Sequence, residues 1–146
     1  MNQKKRASGG CLCRSVRFEV KGEMRPVVAC HCRQCQRWHG HYASYSAATR
    51  DDVVFSSDEG LTWFHSSESA RRGFCAHCGT SLFWDRLAGD ILSIAAGVLD
   101  QPSGLETVRH IFVKDKGDYY ELDDGLPKLM AGQDDAWHGG GEEMPP

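Results

Sequence analysis

The sequence predicts a small, mainly antiparallel β domain with at most one or two short helices. Three observations predict it: apolar residues recur with a period of two, turn residues punctuate the chain at short intervals, and seven cysteines fall into three tight groups. At 146 residues the chain is one domain by size. A domain of that length buries roughly 68–70% of the surface its unfolded chain exposes.

The elements follow in order. Val16, Phe18 and Val20 alternate with Arg17, Glu19 and Lys21, which predicts a strand with one wet face. Further strands are predicted over Val27 to Cys30, Tyr42 to Ala47, Val53 to Ser56, Leu61 to His65, Ser81 to Asp85, Ile91 to Ala95 and Thr107 to Val113. Lys21-Gly22, Arg50-Asp51-Asp52, Asp58-Glu59-Gly60, Ala88-Gly89-Asp90 and Lys116-Gly117-Asp118 are the turns between them. One helix of barely two turns is predicted over Arg33 to His39, stopped by Gly40. Residues 8–128 form the expected domain and 129–146 a C-terminal tail. Its last stretch, Gln133 to Pro146, carries Gly139-Gly140-Gly141 and Pro145-Pro146 and reads as loose.

Composition narrows the function. With 40% hydrophobic and 25% charged residues the chain is neither disordered nor collagenous. A net charge of −3 and an isoelectric point near 6.1 lack the basic excess that nucleic acid or an anionic membrane would attract, so neither partner is expected. The longest apolar run, Ile91 to Leu99, is interrupted by Ser93 and Gly97 and falls far short of the ~20 residues that span a bilayer. The basic N-terminus leads into Gly9-Gly10-Cys11 rather than an apolar stretch, so no secretory signal is expected and the protein reads as cytoplasmic. An odd number of clustered thiols in a reducing compartment is a poor disulfide framework, and metal binding becomes the leading explanation.

The groups are Cys11-Leu12-Cys13, Cys30-His31-Cys32-Arg33-Gln34-Cys35 and Cys75-Ala76-His77-Cys78. Two short pairs on separate hairpins each supply two corners of a tetrahedron, so Cys11, Cys13, Cys75 and Cys78 are predicted to hold a closed structural zinc. Gly79 after the second pair can take the positive φ of a tight ligand turn. Cys30, Cys32 and Cys35 then remain. They fit a second zinc with three protein ligands and a fourth position open to substrate, or a closed site completed by His39 or His41, or three ordinary buried cysteines. The first alternative makes two zinc ions per chain.

Three thiolates leave zinc a weak activator of water, and another thiol is its natural fourth ligand. A substrate thiol held there suits addition to, or release from, a small electrophilic carbon. Between Cys30 and Tyr42 lie Arg33, Arg37 and three histidines but no acid, which suits an anionic thiol such as glutathione. Arg33, Arg37, Trp38 and His39 are the candidate substrate-binding residues, with Trp38 walling the pocket. His31 and His77 read as neighbours of the ligands or exposed residues, and Trp63, Phe64, Phe83 and Trp84 as packing.

These motifs carry a resemblance. Gly9-Gly10-Cys11-Leu12-Cys13 with Val16-Arg17-Phe18, the Cys30 to Cys35 group with Gly40, and the run from Arg72 through Cys75, Cys78 and Gly79 to Phe83 resemble the glutathione-dependent formaldehyde-activating enzyme family, also called the centromere protein V family. His110-Ile111-Phe112-Val113 and Asp123-Asp124-Gly125-Leu126-Pro127 extend the similarity over about residues 8–128. The resemblance implies a β-tent-like zinc fold, a structural zinc on the two pairs and a substrate-facing zinc on the triplet. Arg14 stands where the family usually has Gly, at a left-handed position that costs a non-Gly residue roughly 1–2 kcal/mol. Gln36 replaces a frequent Arg.

Two functions follow. The first is a zinc-dependent carbon–sulfur lyase, similar to S-(hydroxymethyl)glutathione synthase, that acts on the adduct of glutathione or a related thiol with a small aldehyde such as formaldehyde. The second is a zinc-stabilised binding module, or a glutathione carrier, that contacts protein or nucleic acid without catalysis. No feature of the sequence specifies an oligomer.

Overall fold

A computed structural model of the protein describes residues 6–132, which include all seven cysteines; the stretch from Gln133 to Pro146 lies outside the described residues. Ten strands and one α-helix run in the order β1 (Ala7–Gly10), β2 (Val16–Val20), β3 (Val27–Cys30), α1 (Arg33–His39), β4 (Ala43–Thr49), β5 (Val53–Asp58), β6 (Leu61–Phe64), β7 (Ala70–Cys75), β8 (Ser81–Arg86), β9 (Ile91–Ala95) and β10 (Thr107–Ile111). They form two sheets, one of order β1-β2-β5 and one of order β10-β3-β4-β9-β8-β7-β6. Pairing is antiparallel throughout except for β10, which lies parallel to β3. The fold is mainly β, as the period of two predicts.

The helix has the predicted bounds because Gly40, at φ 79°, ends it by donating its N–H to the Gln36 carbonyl. Strand β10 stops two residues short of the predicted Val113 because Phe112 turns the chain left-handed at φ 55°. Beyond it, Leu129 donates to the His110 carbonyl and Phe112 to that of Ala131, so residues up to 131 hydrogen-bond alongside the end of β10. Strand β1 carries no apolar alternation. It forms because Gly9 can lie against its neighbours: a Cβ there would sit 2.5 Å from the Val98 carbonyl oxygen and 2.9 Å from the Phe18 ring.

Two apolar clusters fill the interior. The first gathers Val16, Phe18 and Val20 of β2, Leu82 and Phe83 of β8 and Ile94 of β9, together with Cys11 and Cys75. Phe18 packs tilted against Phe83 at 5.3 Å between centroids. The second gathers Val28, Ala43, Tyr45, Ile111 and Phe112 around Cys30, Cys32 and Cys35. Asp85 is buried on β8 and balanced by Arg50 and by Arg71, whose guanidinium stacks 3.9 Å over Trp63. Each cysteine cluster thus borders its own core. No helix among the described residues is long and apolar enough to cross a membrane.

Candidate metal centres and pocket

Three turns meet at the four-sulfur cluster. Cys11 and Cys13 lie in the β1–β2 turn, Cys75 ends β7, Cys78 lies in the β7–β8 turn, and Gly60 lies in the β5–β6 turn. Cys13 Sγ is 3.6 Å from Cys11 Sγ and 3.7 Å from Cys75 Sγ, and all four sulfurs lie within 4.8 Å of one another. A tetrahedron with metal–sulfur distances of about 2.3 Å has edges of about 3.8 Å, so the cluster could hold a metal ion without rearrangement. A Cβ at Gly60 would fall 2.6 Å from Cys75 Sγ and 2.4 Å from Ser15 Oγ, so only glycine admits this approach.

Hydrogen bonds orient the sulfurs. The Val16 amide donates to Cys11 Sγ at 3.3 Å, and Ser15 Oγ lies 3.2 Å from both Cys13 Sγ and Cys75 Sγ. Thr80 Oγ1 accepts from the Leu12 amide at 3.1 Å and lies 3.2 Å from Cys78 Sγ, a hydrogen bond that holds the Cys78 thiol down to about 5. Gly79, at φ 80°, donates its N–H to the Cys75 carbonyl at 2.7 Å. Arg14 keeps the left-handed turn that glycine usually supplies, at φ 70°.

The three-sulfur cluster is built differently. Cys30 ends β3, Cys32 caps α1 by accepting from the Cys35 amide at 3.3 Å, and Cys35 is the buried residue of that helix. All three are buried, their sulfurs lie within 4.8 Å of one another, and they line a pocket. Among the described residues no fourth cysteine, histidine or carboxylate atom joins them. His39 Nε2 instead meets the Tyr45 hydroxyl at 2.8 Å, and His41 packs on Tyr42 and Tyr120. Hydrogen bonds from Cys30 and Cys35 lower the Cys32 thiol strongly, while the bond with Cys32 pushes Cys30 well up.

The ligand loop is braced from behind. His31, facing away from its neighbouring cysteines, meets His110 Nδ1 at 2.8 Å and the Tyr120 hydroxyl, and His110 meets Asp124 at 2.8 Å. Burial, with the nearby His110, holds His31 down to about 4, so it is neutral at neutral pH. Gln36 donates to the carbonyls of His31 at 2.8 Å and Asp115 at 2.6 Å, stapling helix to loop.

Arg33 and Arg37 are exposed on α1 and outside the pocket lining, as is His77 beside the other cluster. Trp38 stacks on Phe64 at 5.9 Å and meets Phe74 edge-on. Sequence reasoning missed Arg25, Tyr45, Arg72 and Phe112, and took Trp84 for packing; all five line the pocket. Burial pushes the Tyr45 phenol up and His39 down to about 4, so both are neutral at neutral pH.

The family model described as glutathione-dependent formaldehyde-activating enzyme matches residues 6–115. A Schizosaccharomyces pombe protein named as an uncharacterized lyase is 31% identical over 77 residues, 52% of this chain and 55% of that protein, so the match spans about half of each. A crystal structure of a Rhodobacter sphaeroides protein covers 84% of this chain and 98% of its own, with a TM-score of 0.55 at 20% identity, and shows the shared fold. With more than half of its length matched by that model, the chain belongs to the glutathione-dependent formaldehyde-activating enzyme family.

Proposed function

We propose that the protein is a zinc-dependent carbon–sulfur lyase-type enzyme, similar to S-(hydroxymethyl)glutathione synthase, that makes and breaks the adduct of glutathione, or a related thiol, with a small aldehyde such as formaldehyde. One observation carries this reading: three buried sulfurs converge on a pocket, and no described residue supplies the fourth corner of a tetrahedron. The family description and the lyase-named relative support the reaction class. In this reading Cys11, Cys13, Cys75 and Cys78 hold a structural zinc, and Cys30, Cys32 and Cys35 a second one. An all-sulfur donor set suits zinc. Seven reduced cysteines suit a reducing compartment, which supports a cytoplasmic location.

Held by Cys30, Cys32 and Cys35, zinc would supply a thiophilic Lewis acid that favours the ionised, nucleophilic form of a substrate thiol. The chain's own groups do the rest. Trp84, Ile111 and Phe112 wall the pocket and limit water. In the synthetic direction the thiol gives up its proton, its sulfur forms a bond to the aldehyde carbon, the carbonyl π electron pair moves to oxygen, and that oxygen takes up one proton, so that none is gained or lost overall. The neutral Tyr45 hydroxyl, tethered by His39, offers the pocket an uncharged hydrogen-bonding group for it. Arg33 and Arg37, on the outer side of α1, are available to the carboxylates of a thiol that extends beyond the pocket, with Trp38 and His39 on the same helix.

Calorimetric titration of the zinc-loaded protein with glutathione tests the reading, with Cys32→Ser beside it. Binding is expected in the parent and lost in the variant, with S-methylglutathione a poor ligand for both. Equal binding of glutathione and its S-methyl form would overturn the role given to the sulfur. Binding without turnover of the formaldehyde adduct would leave a glutathione carrier.

A further inference from the structure

Arg72 belongs to the sequence motif around Cys75, yet the proposed reaction gives it no task. It sits on β7 with 2% of its surface exposed, opposite Trp84 of β8 and Phe64 of β6. Its neighbour Arg71 is balanced by Asp85, and Arg17 by Asp100. Arg72 has no carboxylate partner among the described residues. Its Nε and Nη2 donate to Gln34 Oε1 at 3.0 and 2.7 Å, and Nη1 lies 3.4 Å from the Tyr45 hydroxyl. Nη2 also points at Cys35 Sγ, 3.6 Å away. The Trp38 ring lies 5.9 Å from the guanidinium.

A guanidinium is always charged, and a buried one without a counter-charge is strongly unfavourable. Gln34, Tyr45 and Trp38 are neutral, and among the described residues that line the pocket the cysteine sulfurs alone can supply an anion. A divalent cation held by three thiolates carries a net charge of −1; of the two buried arginines lining the pocket, Arg25 donates to the Pro26 and Tyr45 carbonyls, whereas Arg72 reaches a sulfur and offsets that charge directly. We propose that Arg72 is the counter-cation of the three-sulfur centre and a positioning residue for its chemistry, donating an N–H···S hydrogen bond to Cys35 while Gln34 fixes its orientation. The proposal rests on the reading that the triplet holds a metal.

The consequence is chemical. An N–H donor to a metal-bound thiolate draws charge from the sulfur and leaves the metal a better acceptor for a further anionic ligand. Without the arginine, a fourth sulfur would have to join a buried centre that is already negative. Arg72 thereby sets, through Cys35, how tightly the pocket takes a thiol.

The test uses the full chain with zinc in the four-sulfur cluster and cobalt in the triplet, and compares the parent with Arg72→Met, Arg72→Lys and Gln34→Leu. Arg72→Met should keep two metals per chain, move the thiolate-to-cobalt absorption to lower energy and weaken glutathione at least tenfold. Arg72→Lys should recover most of that affinity. Gln34→Leu should shift the band in the same direction by less, and it carries the test if Arg72→Met does not fold. Two metals in every protein with unchanged band and affinity in Arg72→Met, or in Gln34→Leu if it stands in, would overturn this inference alone. Parent protein that binds only one metal would overturn both this inference and the reading beneath it.

Discussion

The two cysteine clusters share a donor atom and differ in where the fold sets them. Cys11, Cys13, Cys75 and Cys78 meet where three turns converge, with Cys13 exposed and Cys78 half-buried, and they supply all four corners of a tetrahedron. Cys30, Cys32 and Cys35 are all buried, supplied by a strand end and one turn of helix, and among the described residues they stop at three. The exposed cluster is the closed one, and the buried cluster is the one that opens on a pocket. Solvent exposure and an open coordination corner thus point to different clusters, and the proposed function follows the open corner. Hydroxyls of Ser15 and Thr80 surround the closed cluster, whereas the open one has a buried arginine beside it.

The largest effect that would break this contrast is on folding. Cys75→Ser or Cys11→Ser should abolish the cooperative unfolding transition in circular dichroism, since structural zinc contributes on the order of 10 kcal/mol to folding. Cys32→Ser should remain folded. Equal loss of structure in all three variants would make the triplet structural as well. Metal analysis sharpens the same point: the parent should return two zinc ions per chain and Cys32→Ser one.

A smaller effect belongs to the triplet's side alone. His39 is held down to about 4 by burial and the Arg72 charge, against an ordinary value near 6.5. The unfolded chain takes up this proton at higher pH than the folded one, so the contribution to stability is full above pH 6.5 and is lost as pH falls toward 4. Denaturant titrations at several pH values should show the parent losing on the order of 2 kcal/mol more than His39→Gln across that window. Parallel pH profiles would remove His39 from this account.

The smallest effect lies at the closed cluster. Arg14→Gly relieves a left-handed conformation of roughly 1–2 kcal/mol but gives back part of it in unfolded-chain entropy, so the melting point should rise by the equivalent of about 0.5–1 kcal/mol. A fall would mean that the Arg14 side chain stabilises the turn.

What the sequence revealed follows from what is local. Alternation in Val16–Val20 and the Gly40 stop are written in consecutive residues, and the structure reproduces both. Strands β1 and β7 were invisible because Ala7-Ser8-Gly9-Gly10 has no apolar face and Arg71-Arg72-Gly73 breaks the one β7 has; both exist through their partners. The cysteine groups were legible because ligand spacing is local. Arg25, Tyr45, Arg72, Trp84 and Phe112 come from separate stretches of chain and meet only after folding. Arg33 and Arg37 were conspicuous for their charge, but each lies two residues from Cys35, roughly 200° around a helix whose Cys35 face is buried, which turns both outward.

The four-sulfur cluster has a topological consequence. Cys13 and Cys75 are 62 positions apart, and the segment between them contains Arg25, Cys30, Cys32, Cys35, Tyr45 and Arg72. A metal ion there closes a polymer loop, and a cross-link of that span removes about 4 kcal/mol of chain entropy from the unfolded ensemble. The segment that must deliver three sulfurs and a guanidinium to one point then searches from tethered ends. Metal loading would then acquire an order, with the closed cluster filled first and the three sulfurs and Arg72 brought together inside the loop, while Trp84, Ile111 and Phe112 close the pocket from outside it.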